Sequence, residues 1–598
     1  MSSQQRSQRV TETEQYEGNK MLRRYLTRGL RSRFARVMVA SMIPVALIAS
    51  ASSADTTSTN TITLTPPNAL PGVPALPFTA ATAAAFTIPV TTSGALAVTP
   101  NQGVQGTPIT VSGTGLPAST SVELTWGTSN ATWLADVEPN TVNYLGTSYS
   151  KITVVMTTVT TNSSGAFTFQ TTAPADFGGI HDIYAVANGT AVGHAGFEEL
   201  RTLKVTPTNG PIGTPITITY TSMGASLYTG GAEILWDNHY TGEMQAQWTR
   251  GTASVTIRAA GPVGTHFIQV GNAISYMYLN VIQSPIPYTN GGNVTFRVTK
   301  DNGPTASSIS WPADVQPTVS QVTTLSNAGL DPQSSAVATL STTKGPVLTK
   351  TTLSVTGLPS SVTGTVNLAY STVVGNRVNC ASTCWAFSSI ALGTAAVTNG
   401  TISQQVTIPD SLGGWHVVQV MRGSTLEAQA PFYVMESIVP FMNKAGKVIS
   451  QGLATANDYT APLKNPTPAQ TARALAAFEV GQSGKGTNTF EENQEFTISI
   501  KGVGWTQLDN TLGVDYDNSY IGYSCGFNSN GYMVVHLHAT GGVGTHIIDL
   551  YPMLYSLSPS FASTPYGMVP DLSYARDYPG LALGYHVPAI RFSIKIVK

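Results

Sequence analysis

Charge is what this 598-residue chain has least of: Asp, Glu, Lys and Arg together make up 10% of it, well under the usual quarter. Residues 1–54 hold nine of the 30 Lys/Arg and three of the 31 acids, which leaves 21 basic and 28 acidic residues beyond them. No basic run occurs in that remainder. Phosphate binding needs clustered Lys and Arg, so the pattern argues against nucleic acid as a partner. Cysteine is scarce too. Three residues cannot build a disulfide framework, although Cys380 and Cys384 can close a small loop in an oxidising compartment, with Cys525 left over. Long amphipathic helical periodicity is also missing beyond residue 54.

What is abundant points one way. Thr and Val favour strands, while the 56 glycines and 36 prolines, with Asn, punctuate turns. An all-β fold follows, and the length suggests roughly three to five domains.

The N-terminus differs in kind. Arg23, Arg24, Arg28, Arg31, Arg33 and Arg36 precede an apolar run from Val37 to Ala51. Ala49-Ser50-Ala51 and Ser52-Ser53-Ala54 offer small-residue cleavage sites. The run contains Pro44 and falls short of the roughly 20 residues a membrane span requires. Residues 1–54 therefore read as a signal peptide region with a signal helix, and the protein as exported.

Internal repetition decides the rest. VTPNQGVQGTPITV, from Val98, is matched by VTPTNGPIGTPITI, from Val205. Four later segments place a His after a glycine turn, at His181, His266, His416 and His546. The first and third share Thr-Gly-Leu-Pro and Gly-Gly-x-His. The second and fourth share Asp-Asn-x-Tyr-x-Gly, at Asp237-Asn238 and Asp517-Asn518, and Val-Gly-Thr-His. Asp237 precedes His266 by 29 positions, and Asp517 precedes His546 by the same 29. Duplication of a two-part unit, A–B–A′–B′, accounts for this most simply.

These marks, a glycine-rich turn into a strand, an Asp-Asn hairpin and a Gly-x-His strand, resemble the bacterial extracellular immunoglobulin-like repeats of the IPT/TIG kind over most of residues 96–598. The resemblance implies stalks, spacers or binding modules of surface proteins. The expected fold is four tandem immunoglobulin-like β-sandwich domains in an extended array. The map runs: 55–95, a Thr/Pro/Ala-rich linker; 96–201, A; 202–300, B; 301–340, a spacer; 341–437, A′; 438–476, a linker with a short helix after Thr467-Pro468; 477–598, B′.

Cys380 to Ser388 (CASTCWAFS) resembles the nucleophile segment of papain-family proteases, which implies Cys384 as nucleophile at a helix N-terminus. The match departs in spacing, in Val378 where that family has its oxyanion glutamine, and in the Gly/Thr/Val-rich stretch that follows. A local disulfide or buried loop is the stronger expectation. Strand alternation places the four histidines on inward faces, because residues two and four beyond each are apolar. Neutral rings bonded to nearby backbone are expected, and one His per domain cannot supply a zinc site's three or four ligands. Asp515, Asp517 and Asn518 fall short of the six to eight oxygens calcium takes, and a tight hairpin explains the Asp-Asn pair without metal. No catalytic residue, cofactor or metal is therefore assigned. The expected function is an exported cell-surface or extracellular structural protein, a stalk, layer subunit or adhesin scaffold without catalytic activity. Its expected partners are further copies of itself or envelope polysaccharide, with membrane contact only through an uncleaved signal segment. The alternative is a secreted polysaccharide- or ligand-binding protein using the Tyr/Pro-rich connections 271–292 and 551–589.

Overall fold

Alternation of side chains builds the strands. In Pro108–Thr114, Ile109 and Val111 are buried while Pro108 and Thr114 are exposed. Pro215–Thr221 repeats the pattern with Ile216, Ile218 and Tyr220 inward. A strand with one apolar face must lay that face on another sheet. The structure, a computed structural model, describes residues 61–85, 94–138, 141–227, 229–271, 273–274, 276–277, 292–317, 331–375, 385–439, 441–442, 448–450, 452–455, 488–555 and 568–598. Almost all of its regular elements are strands, and the α-helix among the described residues is the single turn Pro579–Ala582. The signal helix and the short helix after Thr467 fall outside those residues.

The same strand order recurs along the chain. In segment A, Ala95–Thr99, Pro108–Thr114 and Phe167–Thr172 form one antiparallel sheet. The facing sheet orders Gln102–Gly103, Thr190–Glu199, Gly179–Ala187, Ser121–Glu138 and Thr141–Thr160. The chain changes sheets at Pro100, so that Gln102–Gly103 runs parallel to Thr190–Glu199. Segment B repeats this with a three-stranded sheet around Pro215–Thr221 and a five-stranded one in which Asn209–Gly210 runs parallel to Asn293–Val298. Segment A′ does so with Lys344–Gly345 parallel to Thr425–Val434, and segment B′ with Thr489–Glu491 parallel to Ala589–Val597. Two facing antiparallel sheets with a first strand split between them are an immunoglobulin-like β-sandwich.

The expected extended array is corrected by the packing, because residues 58–598 form one compact unit. The connecting stretches join sheets. Thr61–Leu64 and Thr79–Ala85 pair with the long hairpin of A. Ser308–Ser310, inside the expected spacer, pairs with Ala589–Val597 of B′. Ser437–Ile438 and Leu453–Thr455, at the start of and inside the expected linker, pair with Glu495–Lys501. Each stretch carries strand-forming Thr, Ser, Ile or Leu and satisfies an edge that would otherwise stay open. One apolar cluster joins Trp133 of A, Trp248 of B, Tyr433 of A′ and Phe592 of B′.

Candidate functional site

The four histidines stand at equivalent places, all buried, each lying against an aromatic ring of the neighbouring strand: Trp126 with His181, Trp236 with His266, Tyr370 with His416 and Tyr516 with His546. In A and A′ both ring nitrogens face backbone carbonyls. His181 has Nδ1 2.8 Å from the Gly127 oxygen and Nε2 2.5 Å from that of Phe177, and His416 has Ser371 and Gly413 at 2.8 and 3.2 Å. In B and B′ one carbonyl is replaced by the hairpin carboxylate. Asp237 Oδ2 lies 2.6 Å from His266 Nδ1 and Asp517 Oδ2 lies 2.6 Å from His546 Nδ1. The other carboxylate oxygens accept the backbone N–H groups of Phe267 and Ile547 at 2.8 and 2.9 Å. The shared spacing of 29 thus has a physical cause: the hairpin turn is tied to the strand that passes it. Asp237, Asn238, Asp517 and Asn518 all have φ between 49° and 68°, as both central residues of a two-residue type I′ turn require.

The environments of His416 and His546 shift these two rings in opposite directions. Burial lowers the pKa of His416 despite its carbonyl partners. Burial also disfavours the charged form of His546, but the Asp517 hydrogen bond and charge outweigh it and raise the pKa.

A second recurring feature lies where A meets B. The Gly178 N–H donates to the Met223 carbonyl at 2.8 Å, and the Gly413 N–H donates to the Val503 carbonyl at 2.9 Å in the A′–B′ pair. A Cβ on Gly178 would stand 1.7 Å from the Ser222 oxygen, and one on Gly413 would stand 1.6 Å from the Gly502 oxygen. The Gly-Gly-x-His motif is therefore a docking surface for the following sandwich. Charge closes both seams. Arg250 of B reaches Asp176 of A at 2.5 Å and Thr128 Oγ1 at 2.8 Å, and Trp126 donates to the same carboxylate at 2.9 Å. At the A′–B′ seam Lys501 pairs with Asp410.

The third seam joins B to B′. Arg258 donates to Asp549 at 2.5 and 3.2 Å, and Arg591 approaches the same carboxylate at 2.9 Å while donating to the Tyr551 hydroxyl at 2.6 Å. All four side chains are buried. Burial alone would lower the Arg591 pKa, and the Asp549 charge raises it instead. Asp515 is pushed up by burial and then by Asp549. Asn518 donates to the Arg258 carbonyl at 2.7 Å, and its own carbonyl accepts from Thr241 at 2.6 Å.

The described part of the connection 551–589 is buried in these seams. Asp577 accepts from the Trp133 indole of A at 2.7 Å and from the Trp248 and Thr249 N–H groups of B at 2.9 and 3.3 Å. Burial raises its pKa to about 6, against those donors. Tyr578 and Tyr585 are enclosed in the apolar cluster. Among the described residues of this connection, Tyr551, Tyr574, Tyr578 and Tyr585 are buried, so they offer no ring to a ligand. Most of 271–292 lies outside the described residues.

Cys380 and Cys384 also lie outside them, so the small disulfide is not placed. Trp385–Val397, immediately after Cys384, is a strand paired with Gly364–Gly375, where a papain-like nucleophile would need a helix. Cys525 is half-buried and in no disulfide. Among the described residues no group of three or more His, Cys, Asp or Glu is placed to hold a metal ion. No helix among them is long and apolar enough to cross a membrane. A cleft of about 230 Å³ at the A–B seam is lined by Lys151, Asp182 and His181, and that His is committed to two carbonyls. Sequence reasoning missed Asp176, Arg250, Arg258, Asp549 and Asp577, since nothing local in the sequence marks a charge whose partner lies in another repeat.

No protein-family model matches the chain, and no curated protein sequence matches it. Among solved structures it is similar to invasin, a bacterial integrin-binding protein, at 12% identity over 84% of this chain and 78% of that one, with a TM-score of 0.17. It is similar to a Yersinia pseudotuberculosis adhesin at 14% identity over 39% and 58%, TM-score 0.12. Three N-terminal domains of a bacteriophage RB49 outer capsid protein are similar at 10% identity over 57% and 99%, TM-score 0.13.

Proposed function

We propose that the chain is an exported structural protein of the cell surface or extracellular space, built as four immunoglobulin-like sandwiches in the order A–B–A′–B′. The observation that carries this reading is the A–B seam, built twice around equivalent glycines, Gly178 and Gly413, each within hydrogen-bonding reach of the next sandwich. Chemistry-bearing side chains support it in the same sense. The buried histidines are held by groups of their own sandwiches, and Arg250, Arg258, Asp176, Asp549 and Asp577 by partners across or at seams. A rigid scaffold is what such pairing produces, because buried ion pairs fix geometry more than they add stability. The Arg-rich N-terminus and the apolar run to Ala51 supply the export step in this reading.

Cell fractionation with an antibody to segment B tests it. Recovery from the envelope or culture medium, with residues 1–54 removed, is the expected result. Recovery of full-length protein from the cytoplasm alone would overturn it.

A further inference from the structure

We infer that residues 568–577 form a proton-held latch, which lies closed on B while Glu233, Glu243 and Asp571 are protonated and lifts as they ionise. The inference goes beyond the structural reading above and does not depend on where the chain resides.

The latch ties three sandwiches together. Met568–Pro570 pairs with Gly544–Tyr555 of B′. Asp571 to Ser573 then run beside His239–Gln245 of B. There the Leu572 N–H donates to the Glu243 carbonyl at 2.8 Å, and the Gln245 N–H donates to the Ser573 hydroxyl at 2.6 Å. Asp577 ends it, with its bonds to Trp133 of A and to Trp248 and Thr249 of B.

Carboxyl groups gather where the latch meets B. Ala232, Ile234 and Met244 point into the core of B, so alternation turns Glu233 and Glu243 to the outer face of their sheet. Both are buried there all the same, and so is Asp571. Glu233 and Glu243 are partners in register, which sets their Cβ atoms ~5 Å apart. Asp571 forms a bridge with Glu243. Glu243 accepts from the Gln245 side chain, and one Asp571 oxygen accepts the Ser573 N–H at 2.7 Å. The other Asp571 oxygen and both oxygens of Glu233 receive no hydrogen bond of good geometry.

Charge sets this cluster apart from the other seams. Asp176 faces Arg250, Asp410 faces Lys501, and Asp549 faces Arg258 and Arg591. The titratable groups that face Glu233, Glu243 and Asp571 are one another, Asp577 on the latch, Tyr240 of B, and Tyr144 and Tyr149 of A. None of these is a cation. Arg576 is exposed and lies beside Gly72. The connections 272–291 and 556–567 contain no Lys, Arg or His.

Carboxylates this close and this dry cannot all carry charge. Burial and then the Glu243 charge raise the pKa of Glu233, more than the Tyr240 hydroxyl lowers it. Burial raises Glu243 to about 8 against its bond from Gln245. Asp571 is raised by burial first, and by the charges of Glu243 and Asp577. Among the described residues no three such side chains are placed to hold a metal ion, so protons supply the counter-charge. A protonated carboxyl is neutral and gains a donor for its neighbour. Asp571 rides on the latch, so its repulsion from ionised Glu243 pushes the latch off B. For Glu243, closure is full below about 4.5 and is lost as pH rises through about 8.

Hydrogen exchange of the purified full chain, read by mass spectrometry from about pH 5 to about pH 9, tests this. Protection is taken relative to the intrinsic exchange rate at each pH. Peptides from 568–577 are expected to lose protection up to ~tenfold per pH unit for each carboxyl that ionises, and ~hundredfold or more over the range. Lys350–Thr356 of A′ is expected to keep its protection. Glu233→Gln/Glu243→Gln keeps the shape of both side chains without the charge and should abolish most of the fall. Should that variant not fold, Glu243→Gln alone is expected to reduce the fall by about tenfold. Protection of 568–577 that is constant with pH, or a fall that the glutamine variants share in full, would overturn the proposal. So would calcium chloride that restores protection at the highest pH, since the cluster would then be a cation site.

Discussion

Replacing Gly178 by alanine tests the A–B seam with a single methyl group. The new Cβ would lie 1.7 Å from the Ser222 carbonyl oxygen and 2.6 Å from its carbon, against an ordinary separation of ~3.5 Å. Both obstacles are backbone, so neither can rotate away. Gly178 is not at positive φ, so the substitution brings no conformational strain of its own. The seam must open by about 1.5–2 Å, judged against ordinary van der Waals separations. That movement breaks the 2.8 Å hydrogen bond from the Gly178 N–H to Met223 and draws Asp176 away from Arg250. Overpacking costs ~1–3 kcal/mol and the lost hydrogen bond ~1, so the expected loss is about 3 kcal/mol. Tryptophan fluorescence in urea reports it, because Trp126 donates to the same Asp176. With a slope near ~3 kcal/mol/M the midpoint falls by about 1 M. Gly413→Ala should do the same at the second seam. Gly196→Ala is the control, since its Cβ meets a methyl of the exposed Ile180 at 3.3 Å and the His181 carbonyl at an ordinary 4.0 Å. A Gly178→Ala protein within about 0.5 kcal/mol of wild type, the range of neutral surface changes, would refute the seam.

Three further outcomes follow from buried charge. Asp577→Ala strands the Trp133 indole and two N–H groups of B, and should cost about 3 kcal/mol in the same titration. Glu199 has its pKa raised to about 8, by burial first and then by the Asp176 charge, against a hydrogen bond from Ser222. The folded state therefore holds this proton longer than the unfolded chain does. Its contribution is present below about 4.5 and is lost as pH rises toward about 8, so Glu199→Gln should flatten the fall in stability over that window. His546 is raised as well, so its contribution is full below about 6.5 and is lost as pH rises through the folded value. Asp517→Asn should move its NMR titration midpoint downward, and an unmoved midpoint would sink the pairing.

The internal construction of each sandwich was legible because it is local and repeated. A two-residue alternation marked Pro215–Thr221, and Asp-Asn predicted the hairpin turns. The equal Asp-to-His spacing recorded a hydrogen bond that the sequence alone did not identify. What was not legible is how sandwiches meet. Asp549 sits on an outward face, where a polar residue reads as solvated, yet it is buried because Arg258 arrives from some 290 residues away. Ser308–Ser310 lies in a Ser/Thr/Pro stretch that composition assigns to a spacer, and only the open edge of Ala589–Val597 makes a strand of it. The tyrosines of 568–589 read as a binding loop, since an aromatic-rich connection looks the same whether it meets a ligand or a neighbouring core.

Comparison of B with B′ separates the two kinds of residue and leads to one more outcome. Positions that hold each sandwich together are alike in both: Asp237 and Asp517, His266 and His546. The charged positions that join B to B′ differ. Arg258 has His538 as its counterpart, and Asp549 has Gln269. Arg258→Gln takes from the buried Asp549 its partner across the seam, and should cost about 3 kcal/mol in a urea titration. His538→Gln, at the exposed counterpart, should stay within about 0.5 kcal/mol of wild type. Equal losses in the two variants would mean that the ion pair does not join B to B′.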